Sequence, residues 1–497
     1  MNMKKVLSGI LCLGLLLTGC SEKPPAVSVP EDGPVMISSD PADGATDLTG
    51  EKLTLKLTYD QNIKCPTEQQ AMISIDGGAS VEKVVAYNTL LTIELSDLEK
   101  DSGKEYTVVV PKGAVLGFKE NQDSADEVRV SFTMKYVEPY VPSVLDPVKT
   151  LVNPNATKEA KNVYAFLLEQ SGKKTLSGVQ SSHCNTNDFV DAVHQATGKH
   201  PALAGYDFLF LQYSPTPDSW SWVRDYNDIS GPKEQWAANG LVNYMWHWNV
   251  PSSEAAWKAG VEDYNFDGYA FYSDKTSFDI NEALKEGTWQ NRFIMKDIEE
   301  VAGYLKLLQA ENIPVIWRPL HEAAGNYDLY GGNGAWFWWG RGGAEPCKKL
   351  WKLLYEQLVN VHGLNNLIWV WTVDVTKGAE EQYLDWYPGD EYVDVLGVDI
   401  YETNTDAKTR QYQALVDMTK GKKLVTVSEC GNIPDPAKCM ESGNKWSWFM
   451  VWPNSDASGN VLLTPSSDNF KLNTADYWKK VMSSPYVLTR EAMPSLK

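Results

Sequence analysis

Two apolar runs in the second half of the chain each end on a glutamate. Ile316-Trp317-Arg318-Pro319-Leu320-His321-Glu322 closes one, and Val425-Thr426-Val427-Ser428-Glu429 closes the other. Two carboxylates facing one cleft are what hydrolysis of a glycosidic bond needs. One has a raised pKa and protonates the leaving oxygen; the other stays ionised and attacks the anomeric carbon. A separation of roughly 5–5.5 Å leads to retention of configuration, and a wider gap admits a water and leads to inversion. The sequence alone does not set that distance. Neighbouring residues suit the same task. Tyr401 ends another apolar run, and its hydroxyl can donate to Glu429, keeping it ionised and oriented. Arg318 lies four residues before Glu322, so it shares a strand face with it from deeper down and can pair with Glu429. His321 points away from that face in a regular strand, and reaches the cleft only if the strand loosens at its end.

These side chains need a scaffold that gathers strand ends. From residue 148 onward, short runs rich in β-branched and aromatic residues alternate with helical patterns. The runs are 175–180, 201–208, 241–249, 314–322, 367–374, 393–401, 424–429 and 446–452. Between them, Ile298, Val301, Leu305 and Leu308 recur at helical spacing. A second helix is expected from Pro346 to a stop at Gly363, with Leu350, Leu354, Leu358 and Val361 on one face. Eight strands joined by helices over about 350 residues predict an α/β fold, a (β/α)8 TIM barrel spanning 148–497. Glu322 and Glu429 then close its fourth and seventh strands, on the face where barrels bind substrates. The connections 249–314 and 322–346 exceed what a helix needs and belong to that face.

Residues 36–137 follow a different grammar. Leu53, Leu55, Leu57 and Tyr59 alternate with polar residues, as do Leu91, Ile93 and Leu95, then Tyr106, Val108 and Val110, then Val128, Val130, Phe132, Met134 and Tyr136. This period of two predicts a small all-β sandwich, with turns at Asp76-Gly77-Gly78 and Ser102-Gly103. It shows no exposed aromatic row for sugar, so a spacer or supporting role is expected. Residues 138–147, with Pro139, Pro142 and Pro147, read as a linker, and 20–35 as a tether. Residues 1–19 combine Lys4 and Lys5 with a short apolar stretch and Leu17-Thr18-Gly19 before Cys20. That pattern resembles a bacterial lipoprotein signal peptide and implies acylation of Cys20. It places the protein in the bacterial cell envelope, lipid-anchored on the outer membrane and facing outward.

The formal charge of -20 repels phosphate backbones and argues against a nucleic-acid partner. Once Cys12 and Cys20 are set aside, Cys65, Cys184, Cys347, Cys430 and Cys439 remain, an odd number; Cys430 and Cys439 are near enough in sequence for a short disulfide loop. Of the six histidines, no pair has the spacing of a zinc site, and no acidic calcium loop is present, so neither a metal nor another cofactor is expected. His247 and Trp248, inside Trp246-His247-Trp248-Asn249, close the third strand and read as sugar-binding. Trp448, with Trp446 on the same face by alternation, reads as the aromatic platform. His183 follows the first strand and is assigned to a more distant subsite. The Gly331–Gly340 loop carries Trp338 and Trp339 as candidates for the leaving-group side, although at least two of its four aromatic residues are expected to pack the loop onto the barrel.

Residues ~148–495 resemble the catalytic domain of glycoside hydrolase family 26. The resemblance rests on Gly178-Val179-Gln180 with His183, Trp246-His247-Trp248-Asn249, the Trp317–Glu322 segment, Gly397-Val398-Asp399-Ile400-Tyr401, Ser428-Glu429-Cys430-Gly431 and Trp446-Ser447-Trp448-Phe449. It implies a retaining endo-β-1,4-mannanase with Glu322 as acid/base and Glu429 as nucleophile, and His321 before the acid/base as a family feature. It also brings Asp399 into the substrate-binding set. The partner implied is β-mannan, met by a monomer. A xylanase or mixed-linkage β-glucanase would use the same pair. A glycan-binding lipoprotein on a decayed hydrolase domain is the alternative of another class, and retention of both glutamates weighs against it. The opening Pro41-Ala42-Asp43-Gly44-Ala45 resembles the start of bacterial immunoglobulin-like modules.

Overall fold

The structure is a computed structural model that describes residues 32–119, 122–181, 186–211, 225–263, 265–374, 383–452, 454–455, 461–462 and 473–497. It divides into two compact units, Met1–Val141 and Pro142–Lys497. Ser143, within the segment expected to be linker, already donates its amide to Asp417 of the second unit, so that unit begins a few residues before 148.

In the first unit, Met36–Asp40, Leu53–Tyr59, Leu90–Ser96 and Ser80–Tyr87 form one four-stranded sheet. Ala45–Leu48, Val128–Met134, Glu105–Val110 and Ser74–Ile75 form the other. The alternating apolar positions do what their period implies. Leu55, Leu57, Tyr59, Leu91, Ile93, Leu95, Tyr106, Val108, Val110, Val130, Phe132 and Met134 make one core. Tyr136 does not join it, because the last strand ends at Met134 and the ring is exposed.

In the second unit, all eight expected strands form. They are Thr175–Gln180, Leu203–Asp207, Leu241–Met245, Val315–Arg318, Leu367–Asp374, Val395–Ile400, Leu424–Cys430 and Trp448–Val451. Each pairs in parallel with the next, and the first pairs with both the second and the eighth, so the sheet closes into a barrel. A further pair, Val487–Leu488, adds to the outside of the first strand. The helix Trp289–Ala310 buries Ile298, Val301, Leu305 and Leu308, and the Thr288 side chain caps it by accepting from the Asn291 amide. The second expected helix starts at Ala344 and, after Tyr355, continues as a π-helical turn, Glu356–Val361. Val361 is exposed there: the wider turn rotates it off the apolar face that Leu350, Leu354 and Leu358 occupy. No helix among the described residues is long and apolar enough to cross a membrane. Cys65, Cys347, Cys430 and Cys439 are free buried thiols, so the short Cys430–Cys439 loop is not closed by a disulfide.

Candidate active site

The fourth strand stops at Arg318, because Pro319 has no amide proton to continue the ladder. The chain then turns sharply. Leu320 (φ 49°) and Glu322 (φ 50°) both take the left-handed conformation that non-glycine residues avoid. The turn carries His321 and Glu322 onto the mouth of the barrel, and the Glu322 amide is held by the Thr372 carbonyl at 3.2 Å.

Glu429 arrives differently. Opposite the sixth strand, Val398 pairs with Val427 but Asp399 pairs with Glu429, so Ser428 is an extra residue. Adjacent residues of a regular strand face opposite ways. This bulge lets both face inward: the Ser428 hydroxyl reaches Asp399 at 2.8 Å while the Glu429 carboxylate lies against Arg318. Tyr401 donates its hydroxyl to the other Glu429 oxygen at 2.8 Å. Both pairings expected for Glu429 are therefore present.

Arg318 is buried and bridges Glu429 and Asp399, the latter at 2.8 Å. Burial works against its charge, but Asp399 and Glu429 outweigh that and hold the guanidinium more basic than usual. Burial pushes Asp399 up to about 7 even against Arg318, and repulsion from Glu429 adds to it. Asp399 is therefore not a sugar contact: it lies wholly buried beneath the mouth and ties Arg318 to Ser428. Burial also drives Glu322 well above the usual carboxylate range, reinforced by Asp399, Glu429 and Asp374 and opposed by Arg318. Oxygens of Glu322, Asp399 and Glu429 lie within 4.8 Å of one another. Among the described residues this is the one group with the spacing of a metal site, and Arg318 already lies against two of its three carboxylates. The nearest oxygens of Glu322 and Glu429 thus approach closely, as the roughly 5–5.5 Å carboxyl separation of retaining hydrolases requires.

His321 has turned toward the third strand. Its Nε2 lies 3.2 Å from Nε2 of His247, and its carbonyl accepts from Trp339 at 2.9 Å. Burial, then His247 and Arg318, keep its imidazole well below the usual pKa and so neutral. His247 remains 12% exposed, edged by Phe271, Phe337 and Trp452 at ring distances of 4.9, 5.7 and 5.7 Å. The two long connections meet beside it: Tyr272 bridges to Phe337, and the Ser273 amide donates to the Trp336 carbonyl at 2.7 Å. Tyr272 is 49% exposed and close enough to Glu322 for that carboxylate to raise its phenol, after burial.

The tryptophans correct the sequence expectation. Trp248 is fully buried, stacked on Trp246 at 4.0 Å and donating to Asp297 at 2.8 Å. Trp338 donates to the Trp248 carbonyl and Trp339 to that of His321, so both pack the loop onto the barrel. Gly340 follows them because a Cβ there would overlap the Ala323 carbonyl oxygen. Trp446 precedes the eighth strand and turns outward, against Tyr412 and the Ala407 carbonyl. Trp448 is buried as well. Met450, two residues on, meets Asn243 from across the barrel, which places Trp448 one layer below and Trp452 one layer above. None of Trp248, Trp338, Trp339, Trp446 and Trp448 presents a face to sugar; Trp452 is the aromatic residue of that strand beside His247. His183 and Cys20 lie outside the described residues.

A family model described as glycosyl hydrolase family 26 matches residues 152–490. The chain belongs to that family. A bacterial Ig-like domain model matches residues 30–134. Mannan endo-1,4-beta-mannosidase B of Piromyces sp is 39% identical over 319 residues, covering 63% of this chain and 49% of that protein. A beta-mannanase from a symbiotic protist of the termite Reticulitermes speratus, solved with gluco-manno-oligosaccharide, is 33% identical with a TM-score of 0.58, over 71% of this chain and all but 1% of its own (99%). The family 26 domain of an endo-beta-mannanase/endo-beta-glucanase from Prevotella bryantii is 32% identical with a TM-score of 0.59, over 70% of this chain and 99% of its own. The chain spans about half the length of the Piromyces relatives.

Three residues of the mouth were missed in the sequence. Asp207, Tyr272 and Trp452 all touch the site, and two had a readable signal. Asp207 is the last polar residue of the second strand, and Trp452 lies at the end of the eighth run, the positions where a barrel keeps its chemistry. Tyr272 had none, since only the folded loop brings it there.

Proposed function

We propose that the protein cleaves β-1,4-linked mannan internally, with net retention of configuration. Glu429, ionised between Arg318 and Tyr401, attacks the anomeric carbon. Glu322 gives its proton to the departing oxygen. A covalent glycosyl-enzyme results. Glu322, now a carboxylate, takes a proton from water, which displaces Glu429 and restores both groups. The observation that carries this reading is the close approach of two carboxylates in unlike settings: Glu429 has a cation and a hydroxyl donor, whereas Glu322 is buried and kept protonated. The choice of mannan is supported by the names of the relatives in the same family.

The test is hydrolysis of β-mannan, galactomannan, glucomannan, xylan and mixed-linkage glucan, with the anomer of new reducing ends followed by proton NMR in the first minutes. Mixed-length β-anomeric products from mannan are expected. Initial α-anomer would overturn retention. Preference for xylan or glucan would overturn the substrate, and release of one short sugar alone would overturn internal cleavage. We also propose that Cys20 is acylated and anchors a monomeric protein at the cell envelope, which the Leu17-Thr18-Gly19-Cys20 pattern supports. Cys20→Ser is expected to abolish labelling by radioactive palmitate.

A further inference from the structure

We propose that Asp207 is a positioning residue that sets the proton order of the His247–His321 pair beside the acid/base glutamate. The inference rests on the retaining mechanism above for its effect on rate, but not for its effect on the protons.

Asp207 closes the second barrel strand, next to the third, where His247 follows Met245 and Trp246. Its two oxygens hold one residue. Oδ1 accepts the His247 amide at 3.0 Å, and Oδ2 lies 2.5 Å from His247 Nδ1. A carboxylate only accepts, so Nδ1 of His247 carries a proton. With the ring neutral, Nε2 of His247 is then a bare acceptor. Nε2 of His321 faces it at 3.2 Å, so His321 must donate from Nε2. That leaves Nδ1 of His321 as a lone pair. It is buried without a hydrogen-bond partner, in a ring that feels the Arg318 guanidinium.

The order runs one way only: Asp207 accepts from His247, which accepts from His321. It matters because His321 lies between Leu320 and Glu322, the two left-handed residues of the turn. The hydrogen bond to His247 holds one side of that turn, and Trp339 holds the carbonyl on the other. Reversing the protons loosens the first hold and with it the aim of Glu322.

Asp207→Asn tests this with little change of shape. The amide oxygen keeps the His247 backbone N–H, so the amide nitrogen must face Nδ1 of His247 and donate to it. The His247 proton moves to Nε2, where it meets His321, and His321 must move its own to the buried Nδ1. Imidazole 15N shifts read the order directly. Wild type is expected to show His247 protonated on Nδ1 and His321 on Nε2, and Asp207→Asn the reverse. The variant's kcat/KM on mannan is expected to fall about 100-fold, less than the ~10⁴-fold seen where a wrong tautomer is forced on the general base of a catalytic triad, because His321 acts only through the aim of Glu322. Wild-type shifts of the opposite order would overturn the proposal, even if the variant does not fold. So would an Asp207→Asn enzyme within about twofold of wild type. A slow variant with unchanged imidazole shifts would make Asp207 merely structural and also overturn it. A wild-type protein inactive on every glycan, with the expected shifts, would instead sink the proposed function and leave the proton order standing.

Discussion

Glu322 and Glu429 reach one cleft by different backbone routes, and the routes match the chemistry proposed for each. Glu429 sits inside a strand, at a bulge, with Arg318 and Tyr401 built around its two oxygens. Glu322 sits past a strand end, on a strained turn, with burial as the dominant influence on its proton. A nucleophile must stay charged and still, so it is given fixed donors. An acid must hold and release a proton, so it is given a dry setting and other carboxylates.

Removing each glutamate in turn should separate the two roles most widely. Glu429→Ala is expected to lose about 10⁴-fold or more in kcat on mannan while still binding mannohexaose by calorimetry. Turnover within tenfold of wild type would refute the nucleophile. Glu322→Gln should lose about 10²–10⁴-fold on mannan. On an aryl mannoside with a good leaving group the loss in the first step should be much smaller, because that group needs no acid; equal losses on both substrates would argue against the acid role.

Tyr401→Phe removes one charge-assisted hydrogen bond from Glu429 and should cost about 10–100-fold in kcat, from ~1.5–3 kcal/mol. Its melting temperature should change little, and a variant as fast as wild type would show that Arg318 alone orients the nucleophile. The pH profile sharpens the other side. The acid is competent only when protonated, so kcat/KM should fall as pH rises through the raised pKa of Glu322. That basic limb should be absent from Glu322→Gln on the activated glycoside.

The smallest effect concerns stability. Asp399 binds its proton more tightly in the fold, near 7, than at its ordinary 3.8. A raised carboxyl favours the folded state most below its unfolded pKa, and that contribution is lost as pH rises toward 7. Asp399→Asn should therefore show a flatter dependence of melting temperature on pH between 4 and 7. An unchanged slope would mean that Arg318 compensates Asp399 fully.

Much of this site was legible because polar residues at the ends of apolar runs stand out. Glu322, Glu429, Arg318 and Tyr401 each close or flank such a run, and the structure brings all four together. The aromatic residues were not legible in the same way. Trp248 lies beside His247 in sequence yet is buried, because at the end of the third strand the two side chains turn to different surroundings. Trp448 and Trp452 lie four residues apart, about 13 Å of rise along a strand, and that distance separates the barrel's packed interior from its mouth.

The division into a β module and a barrel, the order of eight strands, and the two acids that close the fourth and seventh are written in the order of residues along the chain. Periods of two and 3.6 residues carry that information, since burial follows them locally. The close Glu322–Glu429 approach, the extra residue at Ser428, the turn through Leu320 and Glu322, and the hold of Asp207 on His247 emerge only in the folded barrel. Each depends on register between strands or on a chain leaving its strand. No local pattern encodes those, because they are settled by which neighbours the closed barrel supplies.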